Sequence, residues 1–189
     1  MVEAAPVKPD HSCDEVTVVC DTKVLTTKTE SYHVSDIGVR QLSECRVPNL
    51  VLKPMTIEDY DRVRDILPSV TRCSSRYSRE TVEQMLQFPS FFPFIIVDTL
   101  NDTLIGYAEV HRMPHLGRGM DGRLEKVIIK EEYRGKKVAQ VACRELMDIA
   151  KNVLNCGRCD LTVEKPDAMT VYERLGFEPV STNVWRLML

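Results

Sequence analysis

Apolar residues along this chain fall into blocks of two kinds: short β-branched runs with no helical period, and stretches in which they return every three or four residues. Leu50, Val51 and Leu52 predict a first strand within residues 49–55. Behind it, Ile57, Tyr60, Val63 and Leu67 predict a helix that Thr56 opens, with Asp59 three positions on as its capping partner. A second helix is predicted over Ser78 to Phe88, stopped by Pro89. Phe94–Asp98 and Leu104–Val110 flank the turn-rich Leu100-Asn101-Asp102-Thr103 and predict an antiparallel hairpin. Residues 112–122, R-M-P-H-L-G-R-G-M-D-G, are glycine-rich and predict a connecting loop that feeds the next strand, Leu124 to Lys130.

From about Lys137, Val138, Val141, Ala142, Leu146, Ile149, Ala150 and Val153 keep helical spacing. Arg158 to Val163 then predicts a strand lying parallel to Leu124–Lys130, because a helix separates the two and such crossovers are right-handed. Pro166 opens a short helix carrying Ala168, Val171, Tyr172 and Leu175, closed by Gly176, and Val184 to Leu189 predict a final strand. This order describes a mixed α/β (α+β) domain over residues 49–189.

Residues 1–48 differ in kind, with Pro6, Pro9, many Ser, Thr and Asp and no helical stripe, and predict an extension that is partly disordered or a hairpin through 16–20 and 22–27. At 189 residues, 43% apolar and 28% charged, the chain has enough material for one sizeable core. A net charge of −3 gives no global pull toward nucleic acid or anionic membrane, so basic clusters must act locally. The N-terminal residues lack the apolar core of a secretory signal, which makes a cytoplasmic location the expectation. Seven cysteines at irregular spacing predict reduced thiols. Cys156-Gly157-Arg158-Cys159 reads as a helix-ending turn, since no second ligand pair is present to complete a zinc site, and no metal is expected.

The chemistry concentrates in Gly122 to Gln140. A strand there runs into a basic turn, Arg134-Gly135-Lys136-Lys137, and straight into a helix. Such a junction collects backbone N–H groups without intrahelical partners, and the helix dipole adds partial positive charge, so the place suits a phosphate. Seen alone, a solvated basic turn remains the simpler reading. The run Y-R-G-K-K-V-A-Q (133–140), however, resembles the R-G-x-G-x-G/A loop of the GNAT superfamily of acetyl-CoA-dependent N-acetyltransferases, with Lys137 standing where most members have glycine. A second run, A-M-T-V-Y-E-R-L-G-F (168–177), resembles the superfamily's A-x-x-x-Y-x-x-x-G-F signature. Among its branches the chain is most similar to glucosamine-6-phosphate N-acetyltransferases.

The resemblance implies a GNAT fold: a mostly antiparallel sheet of six or seven strands, splayed between two parallel ones, with about four helices. It implies acetyl-CoA as co-substrate, held by Val127, Ile128, Ile129, Arg134, Gly135, Lys136, Lys137, Val138 and Ala139. Tyr172 is implied as the proton donor to the departing thiolate, and Glu125 as the second catalytic residue, matching the first acid of an acidic pair whose second acid is Lys126 here. An amino-sugar phosphate is implied against Thr71, Met113, Pro114, His115, Arg123, Glu125, Lys126 and Glu164. Arg72 and Arg76 are further phosphate candidates from the loop between the first helices. The C-terminal strand is expected to be exchanged across a homodimer, bringing Arg186 to the neighbour's site. A GNAT acting on a protein amine or polyamine, and a non-catalytic acyl-CoA-binding module, are the competing readings.

Overall fold

The computed structural model describes residue 34, residues 37–69 and 77–182, and residues 185 and 187. The expected hairpin at 16–27, the loop residues Thr71, Arg72 and Arg76, and Arg186 lie outside the described residues.

Among the described residues six strands form one sheet in sequence order: β1 (Arg40–Gln41), β2 (Leu50–Pro54), β3 (Phe91–Asp98), β4 (Thr103–His115), β5 (Gly119–Ile129) and β6 (Arg158–Leu161). All neighbours are antiparallel except β5 and β6, which are parallel. The helices are α1 (Tyr60–Ile66), α2 (Arg79–Leu86), α3 (Val138–Asp148) and α4 (Pro166–Glu173). This is the expected GNAT architecture.

Both faces of the sheet are covered, which is why β3 reads as an unbroken apolar run: Phe92 through Asp98 are all buried. Phe92, Phe94 and Ile96 pack with Val141, Leu146 and Ile149 on the α3 face, while Ile95 and Val97 meet Val63 of α1 and Val82 and Leu86 of α2. The predicted caps form. Asp59 Oδ2 accepts from the Thr56 N–H and hydroxyl, both at 3.1 Å, and Ser78 Oγ accepts from the Thr81 N–H at 3.1 Å. After Asp148 the helix widens into a π turn over Ile149–Val153, with Leu154 N–H bonded to Ile149 O at 2.9 Å. The wide turn keeps Ile149, Ala150 and Leu154 in the core before Asn155, at φ 55°, ends the helix. Cys156, in the turn leading to β6, and Cys159, within β6, follow as free thiols.

The expected loop at 112–122 is instead the far end of a hairpin. Arg112 pairs with Gly122, Met113 with Asp121, Pro114 with Met120 and His115 with Gly119. β3 has ended by the Phe91–His111 pair, so this two-stranded ribbon has an open side, where a proline removes no ladder bond. At the C-terminus, Trp185 and Leu187 lie in no strand, at 90% and 82% exposure.

Candidate active site

Two irregularities in β5 create the site. Between Tyr107↔Ile128 and Glu109↔Glu125 the β5 side contains one residue more than β4, a β-bulge at Lys126 and Val127 with Lys126 at φ 54°. The bulge resets the alternation of faces, so that Glu125 and Ile128, three positions apart, both lie across from β4 residues of one face. β6, for its part, pairs with β5 only from Asp121 to Leu124. Beyond Leu124 the two parallel strands separate, and a groove of about 790 Å³ opens between β5, β6, α4 and the start of α3.

The groove's floor and one wall come from the segment the sequence singled out. Lys130 N–H bonds Ile105 O at 2.8 Å, a single 3₁₀ turn carries Glu131 to Tyr133, and Arg134 Nε–H reaches back to Ile129 O at 3.1 Å. Gly135 (φ 70°) and Lys137 (φ 64°, ψ 6°) are both left-handed. The preference of that conformation for glycine accounts for the glycine most of the superfamily has at the Lys137 position. The first intrahelical bond of α3 is Val141 N–H to Lys137 O at 3.0 Å, which leaves the amides of Val138, Ala139 and Gln140 without α-helical partners beside the groove.

Charge favours an anion here. The groove lining includes seven cationic side chains, Arg46, Arg123, Lys126, Arg134, Lys137, Lys165 and Arg174, against the carboxylates of Glu125, Glu164 and Asp167. This basic surface sits in a chain of net charge −3.

Tyr172 of α4 lines the same groove, packed against the core and edge-on to Phe177 at 5.9 Å. Burial, with the Cys143 and Glu125 side chains adding to it, pushes its phenol up to about 12. Tyr172 is therefore protonated throughout the physiological range.

A smaller cleft of about 380 Å³ adjoins the groove and shares Arg123 and Glu125 with it; its other walls are Ser90, His111, Arg112 and Met113. Arg123 Nε–H donates to Glu125 Oε1, and its other end donates to Thr162 Oγ1 at 2.8 Å. Opposite Glu125, Glu109 accepts from the Tyr107 hydroxyl at 2.8 Å and meets His111 Nε2 at 3.0 Å.

Most of the predicted site residues thus converge. Arg123, Glu125, Lys126, Val127, Ile128, Ile129, Arg134, Gly135, Lys137, Val138, Ala139, Glu164 and Tyr172 share the groove, and Met113 borders the cleft. Glu164 reaches the groove because β6 ends at Leu161, so strand alternation no longer dictates its direction. Lys136, Pro114 and His115 line neither space. The Lys136 ammonium lies over the Tyr133 ring at 5.4 Å, and Pro114 is exposed on the ribbon. His115 joins Arg118 and Arg158 around the buried carboxylate of Asp121, at 3.1, 2.8 and 2.9 Å, a cluster that ties the ribbon to β6. Sequence reasoning missed Arg46, Thr162, Arg174, Glu109 and His111. The E-V-H spacing at 109–111 places two polar side chains on one strand face, a usable signal once the strand's partner is known.

The profile of the acetyltransferase (GNAT) family matches residues 60–177. The chain belongs to this family.

N-alpha-acetyltransferase 30 of Schizosaccharomyces pombe is 30% identical over 133 residues, 65% of this chain and 83% of that protein. "Probable glucosamine 6-phosphate N-acetyltransferase" of Drosophila melanogaster is 25% identical over 142 residues, 72% of this chain and 64% of that relative's length. Among solved structures, a Trypanosoma brucei acetyltransferase superposes with TM-score 0.65 at 20% identity, over 74% of this chain and 99% of that one. Glucosamine-6-phosphate N-acetyltransferase from Arabidopsis thaliana gives 0.63 at 18%, over 73% and 97%. At these identities the structural likeness shows the fold alone.

This GNAT protein is an acetyl-CoA-dependent N-acetyltransferase. Its groove fits that co-substrate in volume, in sign of charge and in offering helix-start amides to a diphosphate. Among the described residues no helix is long and apolar enough to cross a membrane.

Proposed function

We propose that the acceptor is glucosamine 6-phosphate, converted to N-acetylglucosamine 6-phosphate on the route to UDP-N-acetylglucosamine. The observation that carries this reading is the smaller cleft, which shares Arg123 and Glu125 with the groove that Tyr172 lines. It is small, and it sets Arg112 and Arg123, with the His111 ring beside them, against Glu125: guanidinium groups for a phosphate and a carboxylate for an amine. The Drosophila relative supports the same acceptor.

In this reading Arg134, Gly135, Lys137, Val138 and Ala139 hold the coenzyme's diphosphate, and Val127 to Ile129 flank its pantetheine arm. Glu125, oriented by Arg123, receives the acceptor amine and takes a proton from it. The uncharged nitrogen attacks the thioester carbonyl, forming the C–N bond as the C–S bond breaks, and the N–H proton it then sheds balances the proton the departing sulfur takes up. Tyr172 presents its O–H to the departing sulfur. Because the phenol is raised to about 12, while a free thiol titrates near 8.5, it acts mainly as a hydrogen-bond donor whose own deprotonation is brief.

A homodimer with an exchanged C-terminal strand and a cytoplasmic location belong to the same proposal. The outer edge of β6, unpaired among the described residues, and the exposed Trp185 and Leu187 support the first. For the second, the support is the irregular cysteine spacing, which predicts reduced thiols.

A protein α-amine is the second reading, favoured by the Schizosaccharomyces relative. Release of free CoA from acetyl-CoA decides between them. The proposal expects glucosamine 6-phosphate to be preferred over glucosamine, polyamines and peptides; preference for a peptide N-terminus would replace it with the second reading, and coenzyme binding without release by any amine would leave only a binding module.

A further inference from the structure

Residues 40–47 precede the region matched to the family, yet they run beside the coenzyme groove. β1 pairs with β2, and Leu42, only 2% exposed, donates its N–H to Leu50 O at 2.9 Å. Two ion pairs fasten the segment to α3: Arg40 with Asp148 at 3.4 Å and Glu44 with Arg144 at 2.8 Å. Arg46 then donates its backbone N–H to the carbonyl of Lys136, in the middle of the basic turn, at 3.0 Å. Its side chain lines the groove together with those of Arg134 and Lys137.

The contrast within this short strap is informative. Arg40 and Arg144 each face a carboxylate, whereas Arg46 has no acidic partner among the described residues and is exposed at the groove. Its main chain is pinned to the turn, so ordering the guanidinium on an anion costs less entropy than for an arginine on a mobile loop. We propose that Arg46 is an anion contact for a phosphate of the coenzyme. The upstream strap thereby contributes a binding residue and braces the loop that carries Arg134 to Lys137. The inference rests on the reading that this groove holds the coenzyme. Coenzyme A offers two phosphate sources, its diphosphate and its ribose 3′-phosphate, and both have the chemistry a guanidinium recognises.

The test measures affinity of the full chain for coenzyme A and 3′-dephospho-coenzyme A by titration calorimetry, and KM for S-acetylpantetheine, which has neither group. Arg46→Ala should weaken coenzyme A roughly tenfold, as for one lost charge-assisted hydrogen bond. Arg46→Lys should recover most of that loss, and S-acetylpantetheine should be unaffected. Equal weakening for dephospho-coenzyme A assigns Arg46 to the diphosphate; weakening of coenzyme A alone assigns it to the 3′-phosphate. Affinity within about twofold of wild type at unchanged melting temperature, or an equal loss with S-acetylpantetheine, overturns the inference. Arg134→Ala is the control for the groove itself. If it weakens coenzyme A while Arg46→Ala does not, only the role of Arg46 falls; if neither variant has an effect, the groove assignment falls with it.

Discussion

The two halves of the site are built differently. On the proposed coenzyme side, one continuous segment from Val127 to Gln140 supplies strand end, turn and helix start, and offers main-chain amides beside the side chains of Arg134 and Lys137. On the proposed acceptor side, the cleft is assembled from side chains of β4 and β5 and the residue before β3, and those of the two strands are aimed by register and a bulge. A local segment tolerates change in the rest of the chain. A register-built cleft depends on every pairing beneath it.

Mutations should separate the halves, and the largest effect is expected where they meet. Tyr172→Phe should lower kcat by about 100-fold or more while leaving coenzyme Kd near wild type; an unchanged kcat would make the phenol a packing residue. On either side of that point, Glu125→Gln and Arg134→Ala should give opposite signatures of about tenfold each. The first acts on kcat/KM for the amine with coenzyme affinity retained, the second on coenzyme affinity with little change in amine KM. If both variants move the same constant, the division into halves is wrong.

Proton linkage sharpens the picture further. Burial raises the folded-state pKa values of Tyr172 and Cys143 to about 12, above the ordinary 10.0 of a phenol and 9.0 of a thiol. The unfolded chain therefore binds fewer protons than the folded one between about pH 9 and 12, and stability should be level below pH 9 and fall as pH rises through that window. Thermal melts across pH 7 to 11 check the sign. A kcat limb falling near pH 10 that Tyr172→Phe abolishes would contradict the raised phenol. The smallest effect is expected at Lys137, whose left-handed backbone favours glycine. Lys137→Gly should stabilise the fold by up to about 1 kcal/mol, read from the melting temperature, while giving up one positive charge at the groove.

The strands of the sheet were readable because β3 and β5 are apolar runs bounded by turns, and α3 because its apolar stripe is long. The β4–β5 ribbon was not. Pro114, Gly117, Gly119 and Gly122 look like loop residues: Gly117 does sit in the turn, Gly119 and Gly122 lie on β5, and the loss of β3 beside β4 makes room for Pro114. Glu164 lies beyond the end of β6, where alternation, a rule for strands, no longer dictates its direction.

By itself, then, the sequence specified what is local: the order of the elements from β2 to α4, the basic turn that opens α3, and a tyrosine on the last helix within a recognisable signature. Neighbouring residues suffice to encode these, because backbone propensity, capping and helix-start amides act over a few positions. The tertiary structure alone decided which side chains share a space. The splaying of β6 from β5, the bulge at Lys126 and the pairing of Glu109 with Glu125 arise from contacts between segments distant in the chain. The same holds for the strap that brings Arg46 to the carbonyl of Lys136, a contact that no local pattern encodes.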